Sequence, residues 1–186
     1  MCEMYRFWNK KINVISRKDI DHIVQHHILH SLSIAKYIRF PSGVSILDAG
    51  TGGGFPGIPL AVFFPDVRFT LVDSIAKKIR IVKDIVGSLR LTNVKPVCAR
   101  VESLPGIFDF VTGRAVTDPT RFYALVNRKI TPGGTEKLGN GMLYLTGGDL
   151  PDSLLKLTPD ISIIDLSGYF SDPYFTGKKL IHIRKT

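Results

Sequence analysis

Thiols are nearly absent: a chain of 186 residues carries two cysteines, Cys2 and Cys98. Two cysteines make no disulfide framework, which points to a reducing, cytoplasmic setting. Cys98 stands in the apolar run Pro96 to Ala99 and reads as a buried structural thiol rather than a nucleophile. Long apolar runs are missing as well, and none approaches the roughly 20 residues of a membrane span. The first residues, Met1 to Trp8, lack the layout of a signal peptide. There are no internal repeats and no low-complexity stretch. No Ser-His-Asp series and no convincing acid–base pair is offered. Acidic residues are scarce too: 16 Asp and Glu against 25 Lys and Arg leave a net charge of +9.

The residues that are present describe an ordinary globular chain. Hydrophobic residues at 44% and charged residues at 22% can build a substantial core within one domain. The positive charge suits an anionic partner, and nucleic acid is the commonest one for a basic enzyme. It is unevenly spread. Lys77, Lys78, Arg80, Lys83 and Arg90 crowd one segment, and Lys178, Lys179, Arg184 and Lys185 crowd the end of the chain.

The stretch Ile46 to Pro59 is the most informative. Apolar residues Val44 to Leu47 run into Asp48 and then a turn with Gly50, Gly52 and Gly54 spaced G-x-G-x-G. Such a turn needs positive φ and lets a ligand touch backbone. A helix starting near Pro56 turns its free N–H groups toward that ligand. A second strand, Val67 to Val72, ends in Asp73, which lies 23 residues after Gly50. At that distance a βαβ unit places an acid beside a ribose diol, so the unit binds an adenosine-type cofactor. In a dinucleotide fingerprint the third glycine would fall at Phe55, and a P-loop would need Gly-Lys-Ser/Thr; neither is present. The glycine pattern preceded by Asp48 resembles motif I of class I S-adenosylmethionine-dependent methyltransferases.

Periodicity places a helix at Asp19–Ile38 with Asp19 as N-cap, and strands at 44–48, 67–72, 94–99, 108–112, 142–146, 160–166 and 179–184. Helices are expected at 56–64, 75–90, 119–129 and near 152–157. Alternation of this kind implies a Rossmann-like α/β fold: a seven-stranded, mostly parallel sheet with helices on both faces. Gly168 to Gly177 link the last two strands as a hairpin, giving a final antiparallel strand, as in the methyltransferase sheet. Residues 1–40 are expected to form an N-terminal helical segment packing on a methyltransferase domain at 41–186. The loop Thr131 to Gly141 is expected to be mobile. His22, His26 and His30, with His27 alongside, share a helix face. With no His-Glu-x-x-His and no cysteine cluster, that face reads as packing on the sheet or meeting RNA, not as a metal site.

Several stretches together resemble one family, the bacterial 16S ribosomal RNA guanine-N7 methyltransferases (RsmG, also called GidB or glucose-inhibited division protein B). Trp8-Asn9-Lys10-Lys11-Ile12-Asn13 with Ser16-Arg17 is similar to its W-N-x-x-x-N segment, and His27-Ile28-Leu29-His30-Ser31-Leu32 to its H-I-L-D-S-L. Asp48 to Pro59 matches its cofactor loop, including Phe-Pro-Gly-Ile-Pro. Leu71-Val72-Asp73-Ser74 with the basic helix, Arg100-Val101-Glu102 and Gly113-Arg114-Ala115 follow in order. Three departures stand out: His30 replaces the acid, Thr146 replaces a lysine, and the chain is expected to begin inside the family's first helix.

The resemblance implies a cofactor, S-adenosyl-L-methionine, and a partner, 16S ribosomal RNA or the 30S subunit, met by a monomer without a metal. By resemblance, Phe55 and Ser74 line the cofactor pocket, and Val101 and Glu102 contact adenine. Gly50, Gly52 and Gly54 are expected to let backbone approach the cofactor, and Asp73 to accept from the ribose. Arg114, at the carboxyl edge of the sheet, suits the methionine carboxylate or an RNA phosphate and is the candidate for positioning. Lys77, Arg80 and Lys83 are the candidate RNA contacts. Guanine N7 carries a free lone pair, so no general base is required and catalysis would be positioning and desolvation. The base must be met in a loop or extruded. Three rivals stay open: the same cofactor with a protein or small-molecule substrate, an NAD(P) oxidoreductase, and a non-catalytic RNA-binding module.

Overall fold

The computed structural model describes residues 1–186 except 13, 17, 135–138, 158, 159 and 186. Asn13 and Arg17 of the N-terminal segment, and the centre of the loop Thr131 to Gly141 expected to be mobile, therefore lie outside the described residues. The chain forms helix α1 (Cys2–Asn9), a helical stretch closing in α2 (His30–Tyr37), and then β1 (Ser45–Ala49), α3 (Gly57–Phe63), β2 (Arg68–Asp73), α4 (Ala76–Ser88) and β3 (Val94–Cys98). It continues through β4 (Phe110–Arg114), α5 (Pro119–Val126), β5 (Gly141–Gly147), α6 (Asp152–Leu155), β6 (Ile161–Asp165) and β7 (Lys178–Arg184). The sheet order is β3-β2-β1-β4-β5-β7-β6. Five strands run parallel, and β7 inserts antiparallel between β5 and β6. This is the seven-stranded class I S-adenosylmethionine-dependent methyltransferase fold.

Alternation along each strand feeds two cores. Ile46, Leu71, Phe110 and Leu143 face one side, where Ile81, Val82 and Ile85 of α4 and Ile34 of α2 pack. Leu47, Val72, Val111 and Met142 face the other, against Phe122 and Val126 of α5. Helix α5 begins where its residues demand: Asp118 accepts from the amides of Thr120 and Arg121, and Pro119 has no N–H that would need an acceptor.

Four details differ from the sequence reading. The expected helix 19–38 is three segments: a short 3₁₀ turn (Ile20–His22), π-helical turns (Val24–Leu29) and α2. The wide turns rotate the stripe, so Ile23 is fully buried while Val24 is exposed. Asp19 does not cap; its carboxylate takes His26 Nδ1 at 2.6 Å instead. Strand β4 starts at Phe110 rather than 108, since Asp109 turns its carboxylate to the amide and hydroxyl of Ser45. Cys98 is exposed, because β3 is an edge strand and Cys98 its last residue. Among the described residues no helix is long and apolar enough to cross a membrane.

Candidate active site

Strand order reverses between β1 and β4, and a crevice opens at the carboxyl ends of such strands. A cleft of about 440 Å³ lies there. Of the residues the sequence marks for the cofactor, Gly50, Gly52, Phe55, Asp73, Ser74, Val101, Glu102 and Arg114 line it. Gly54 does not. A Cβ on Gly54 would meet Ile58 at 2.4 Å and the Tyr5 hydroxyl at 3.1 Å, so this glycine permits packing behind the loop. Gly52 is its opposite: at φ +58 its missing side chain would point into open space, leaving bare backbone toward the cleft.

The loop is shaped by Asp48, which is fully buried. Its carboxylate accepts from Thr51 Oγ1 at 2.5 Å, from the Gly57 amide at 3.0 Å and from Thr112 Oγ1 at 3.1 Å. It thereby pins the turn, the start of α3 and strand β4 to one point. Burial pushes its pKa up to about 6, against the pull of those three bonds. Asp73 accepts from the Gly52 amide at 3.0 Å and the Ile75 amide at 2.9 Å, with Lys78 Nζ at 3.7 Å. A carboxylate has about four acceptor positions, so capacity for a ribose hydroxyl remains.

Arg114 separates this cleft from a second one, of about 450 Å³, lined by Asp19, His26, His27, His30, Thr146, Tyr174 and Lys178; Arg114 and Ala115 border both. The Arg114 guanidinium is half-buried over the Phe55 ring at 5.1 Å and donates to the His26 carbonyl at 3.1 Å and to His27 Nδ1 at 2.8 Å. Ala115 is held at φ +50. Its amide bonds the Leu145 carbonyl, and the Tyr144 hydroxyl accepts from the amides of Val116 and Thr117. Burial first, and the Arg114 charge second, hold His27 down to about 4 and His30 down to about 3, so both rings are neutral.

The candidate RNA residues divide. Lys77, Arg80 and Lys83 are exposed along α4, while Lys78 turns in toward Asp73. Ile79 and Val82 pack inward, but Ile75 precedes the helix and stands exposed. The basic end of the chain is largely engaged within the protein: Lys179 on the Gly148 carbonyl, Arg184 on Asp160, Lys185 on the Asn127 carbonyl. Among the described residues no group of three or more His, Cys, Asp or Glu is placed to hold a metal. The histidines instead stack: His22 on His26, and His26 on Tyr174.

Several site residues lie outside the motifs. Tyr5 is fully buried, stacks on Phe55 and donates to the Gly53 carbonyl at 2.7 Å. Val14 closes the same flank, where a Cβ on Gly53 would strike it at 2.3 Å. Trp8 bonds Asp84 of α4, and the Asn9 side chain accepts from the amides of Val14 and Ile15. No local pattern marks Tyr5, Val14 or Tyr144 for these tasks; Trp8 and Asn9 stand out only through their likeness to the W-N-x-x-x-N segment.

A family model described as rRNA small subunit methyltransferase G matches residues 2–144. A relative from Flavobacterium johnsoniae, named Ribosomal RNA small subunit methyltransferase G, is 52% identical over 180 residues, covering 97% of this chain and 86% of its own. Among solved structures, a point mutant of MtNAS in complex with S-adenosylmethionine is similar with a TM-score of 0.63 at 14% identity, covering 100% of this chain and 73% of that one. Coclaurine N-methyltransferase bound to N-methylheliamine and SAH is similar with a TM-score of 0.59 at 14% identity, covering 74% and 49%. At such identities the likeness bears on the fold.

Proposed function

The chain belongs to the small-subunit ribosomal RNA methyltransferase G family, and from that premise we propose that it methylates N7 of a guanine in 16S ribosomal RNA. Family membership makes it an S-adenosyl-L-methionine-dependent methyltransferase of small-subunit ribosomal RNA; the base and the atom are our reading. The residues fit the cofactor. Gly52 leaves room and backbone at the cleft wall, Asp73 retains acceptor capacity for a ribose, and Val101 and Glu102 lie on the far wall. When bound, the cofactor supplies an electrophilic methyl group on a sulfonium.

The observation that carries the choice of N7 is the state of the polar groups between the two clefts. Asp48 lies behind the loop with its oxygens bonded, Asp73 takes two backbone amides, and Arg114 is committed as a donor. None of these three is placed as a free base, and the buried imidazoles of the second cleft, His27 held down to about 4 and His30 to about 3, are too weakly basic to take a proton from the substrate. A nucleophile that must first lose a proton would be poorly served. Guanine N7 needs no such step: its lone pair forms the N–CH₃ bond as the S–CH₃ bond breaks, and positive charge passes from sulfur to the imidazole ring. The protein's part is then orientation and exclusion of water. Arg114, with its planar fork fixed by the His26 carbonyl and His27, keeps the wall between cofactor and base in place. The exposed Lys77, Arg80 and Lys83 lie along the helix that starts just beyond Asp73, where they can meet phosphates flanking the target.

The test is a map of 7-methylguanine in 16S ribosomal RNA from cells with and without the gene. One such position should vanish in the deletion, return with the wild-type chain and stay absent with Gly52→Val. Loss of a different modification, or of none, overturns the reading.

A further inference from the structure

Among the described residues, the buried side-chain polar atoms left without a hydrogen-bond partner are His27 Nε2 and His30 Nε2, and both rings line the second cleft. Such atoms are costly to leave unpaired in a finished core, which makes them readable as contacts reserved for a ligand. Their chemistry is fixed by their neighbours. The Tyr174 hydroxyl donates its single hydrogen to the His26 carbonyl at 3.0 Å. It can then only accept from His30, 3.0 Å away, so His30 carries its proton on Nδ1 and Nε2 is a bare lone pair. Arg114 has donors only, so its contact to His27 Nδ1 makes that nitrogen the acceptor and leaves the proton on Nε2. Asp19 Oδ2 stands 3.5 Å from that Nε2, outside hydrogen-bond geometry. The cleft wall thus offers one buried acceptor and one buried donor whose roles cannot exchange without breaking other bonds.

We propose that this second cleft seats the extruded target base and that His30 Nε2 accepts from guanine N1–H while His27 Nε2–H donates to guanine O6. The inference rests on the guanine-N7 reading above and adds to it the residues that read the base. With N7 turned to the first cleft, O6 lies on the adjoining edge and N1–H points roughly at a right angle to the N7 lone pair, so the two groups can be met together by the histidines of the second cleft. Adenine presents the reverse polarity, a lone pair at N1 and a donor at the exocyclic position, and would set lone pair against lone pair at His30. At this position, where the resembled family has an acid, a neutral imidazole offers an acceptor lone pair without a buried charge.

The experiment uses the full chain with 16S ribosomal RNA or 30S subunits from a strain lacking the gene. His30→Phe keeps a ring against Tyr174 and Phe175 and removes the acceptor. Leaving N1–H unpaired should lower kcat/KM for the RNA by about 5- to 150-fold, with the affinity for S-adenosylhomocysteine within twofold. His30→Gln supplies an acceptor oxygen and should recover activity to within about fivefold of wild type. Full activity in His30→Phe overturns the proposal. So does an equal loss in the Phe and Gln variants, which would mean that the ring only packs. A wild-type product that is not 7-methylguanine removes the proposed function. A 7-methylguanine product with Phe and Gln behaving alike removes only this inference.

Discussion

Replacing Asp48 by Asn and by Ala tests whether one buried carboxylate holds the cofactor loop in shape. In the Asn variant the amide oxygen can keep Thr51 and Gly57, while the NH₂ faces Thr112, whose hydroxyl turns to accept. Ala loses all three bonds and leaves the Gly57 amide without its acceptor. Bonds to a charged group are worth roughly 1.5–3 kcal/mol each, offset by the cost of burying the charge, so Ala should destabilise by about 3 kcal/mol and Asn by about 1 kcal/mol. The pH dependence is the sharper test. A carboxyl raised from 3.8 to about 6 binds more protons folded than unfolded. Its stabilising contribution is therefore complete below pH 3.8 and is lost as pH rises to 6. With about 1.36 kcal/mol per pH unit, 6 − 3.8 gives about 3 kcal/mol. His27, His30 and His182 act in the opposite sense. Burial holds them at about 4, 3 and 4 against 6.5, so stability rises as pH climbs toward 6.5. That rise is common to wild type and variant, and their difference isolates Asp48. Urea unfolding from pH 4 to 7.5, where part of the contribution is already lost at the acid end, should show the gap moving by about 2 kcal/mol in favour of Asn. A gap independent of pH, or an Ala variant as stable as wild type, refutes this account of the loop.

Three further outcomes are expected. Asp73→Ala removes the acceptor proposed for the ribose and also frees the Gly52 and Ile75 amides, so calorimetry should show S-adenosylmethionine affinity falling about 10- to 150-fold; unchanged affinity in the folded variant removes Asp73 from the site. A Cβ added at Gly52 meets no protein atom within 4 Å, so Gly52→Val projects its side chain into the open cleft. It should therefore abolish cofactor binding by occupying cofactor space, while the positive φ costs only about 1–2 kcal/mol of stability; normal binding would make the loop a mere turn. Replacing Lys77, Arg80 and Lys83 together by Gln should flatten the salt dependence of RNA affinity by about 0.7–0.9 for each phosphate no longer neutralised, with cofactor affinity intact; an unchanged slope would show that these charges only solvate α4.

What could be read from the sequence is what local chemistry dictates. Glycine spacing after an apolar strand fixes a turn. An acid ending the next strand and a Pro after an Asp at a helix start are equally local, and the cleft and the start of α5 follow from them. Placement of Asp19, Cys98 and Lys78 was not local. Asp19 is a good cap by type, but a histidine seven residues on competes for its carboxylate. Cys98 lies in an apolar run, and only the sheet order reveals that its strand is an edge. Lys78 differs from Lys77 by one helical step, and that step turns it from solvent toward Asp73. The basic end of the chain has the composition of a second nucleic-acid surface, yet its cations rest on carbonyls and on Asp160.

The same contrast divides the two clefts. The first is walled by β1, β2, β4 and their loops, elements that this chain shares in outline with structures only 14% identical to it, so its parts carry a general signature. The second takes His26, His27 and His30 from the segment before β1, Tyr174 from the link between β6 and β7, and Lys178 from the start of β7. Those pieces are separated by 144 residues between His30 and Tyr174, and no spacing rule joins them. Tyr5 and Trp8 fasten that leading segment to Gly53 and to α4, so the glycine loop and the histidine wall are held by one piece of chain. A first cleft built from the shared core, and a second one whose far side comes from additions to that core while Thr146 of β5 and Arg114 of β4 supply the rest, would let substrate choice change without disturbing the chemistry. Arg114, bonded to the histidine wall on one side and stacked over Phe55 on the other, is where the two are joined.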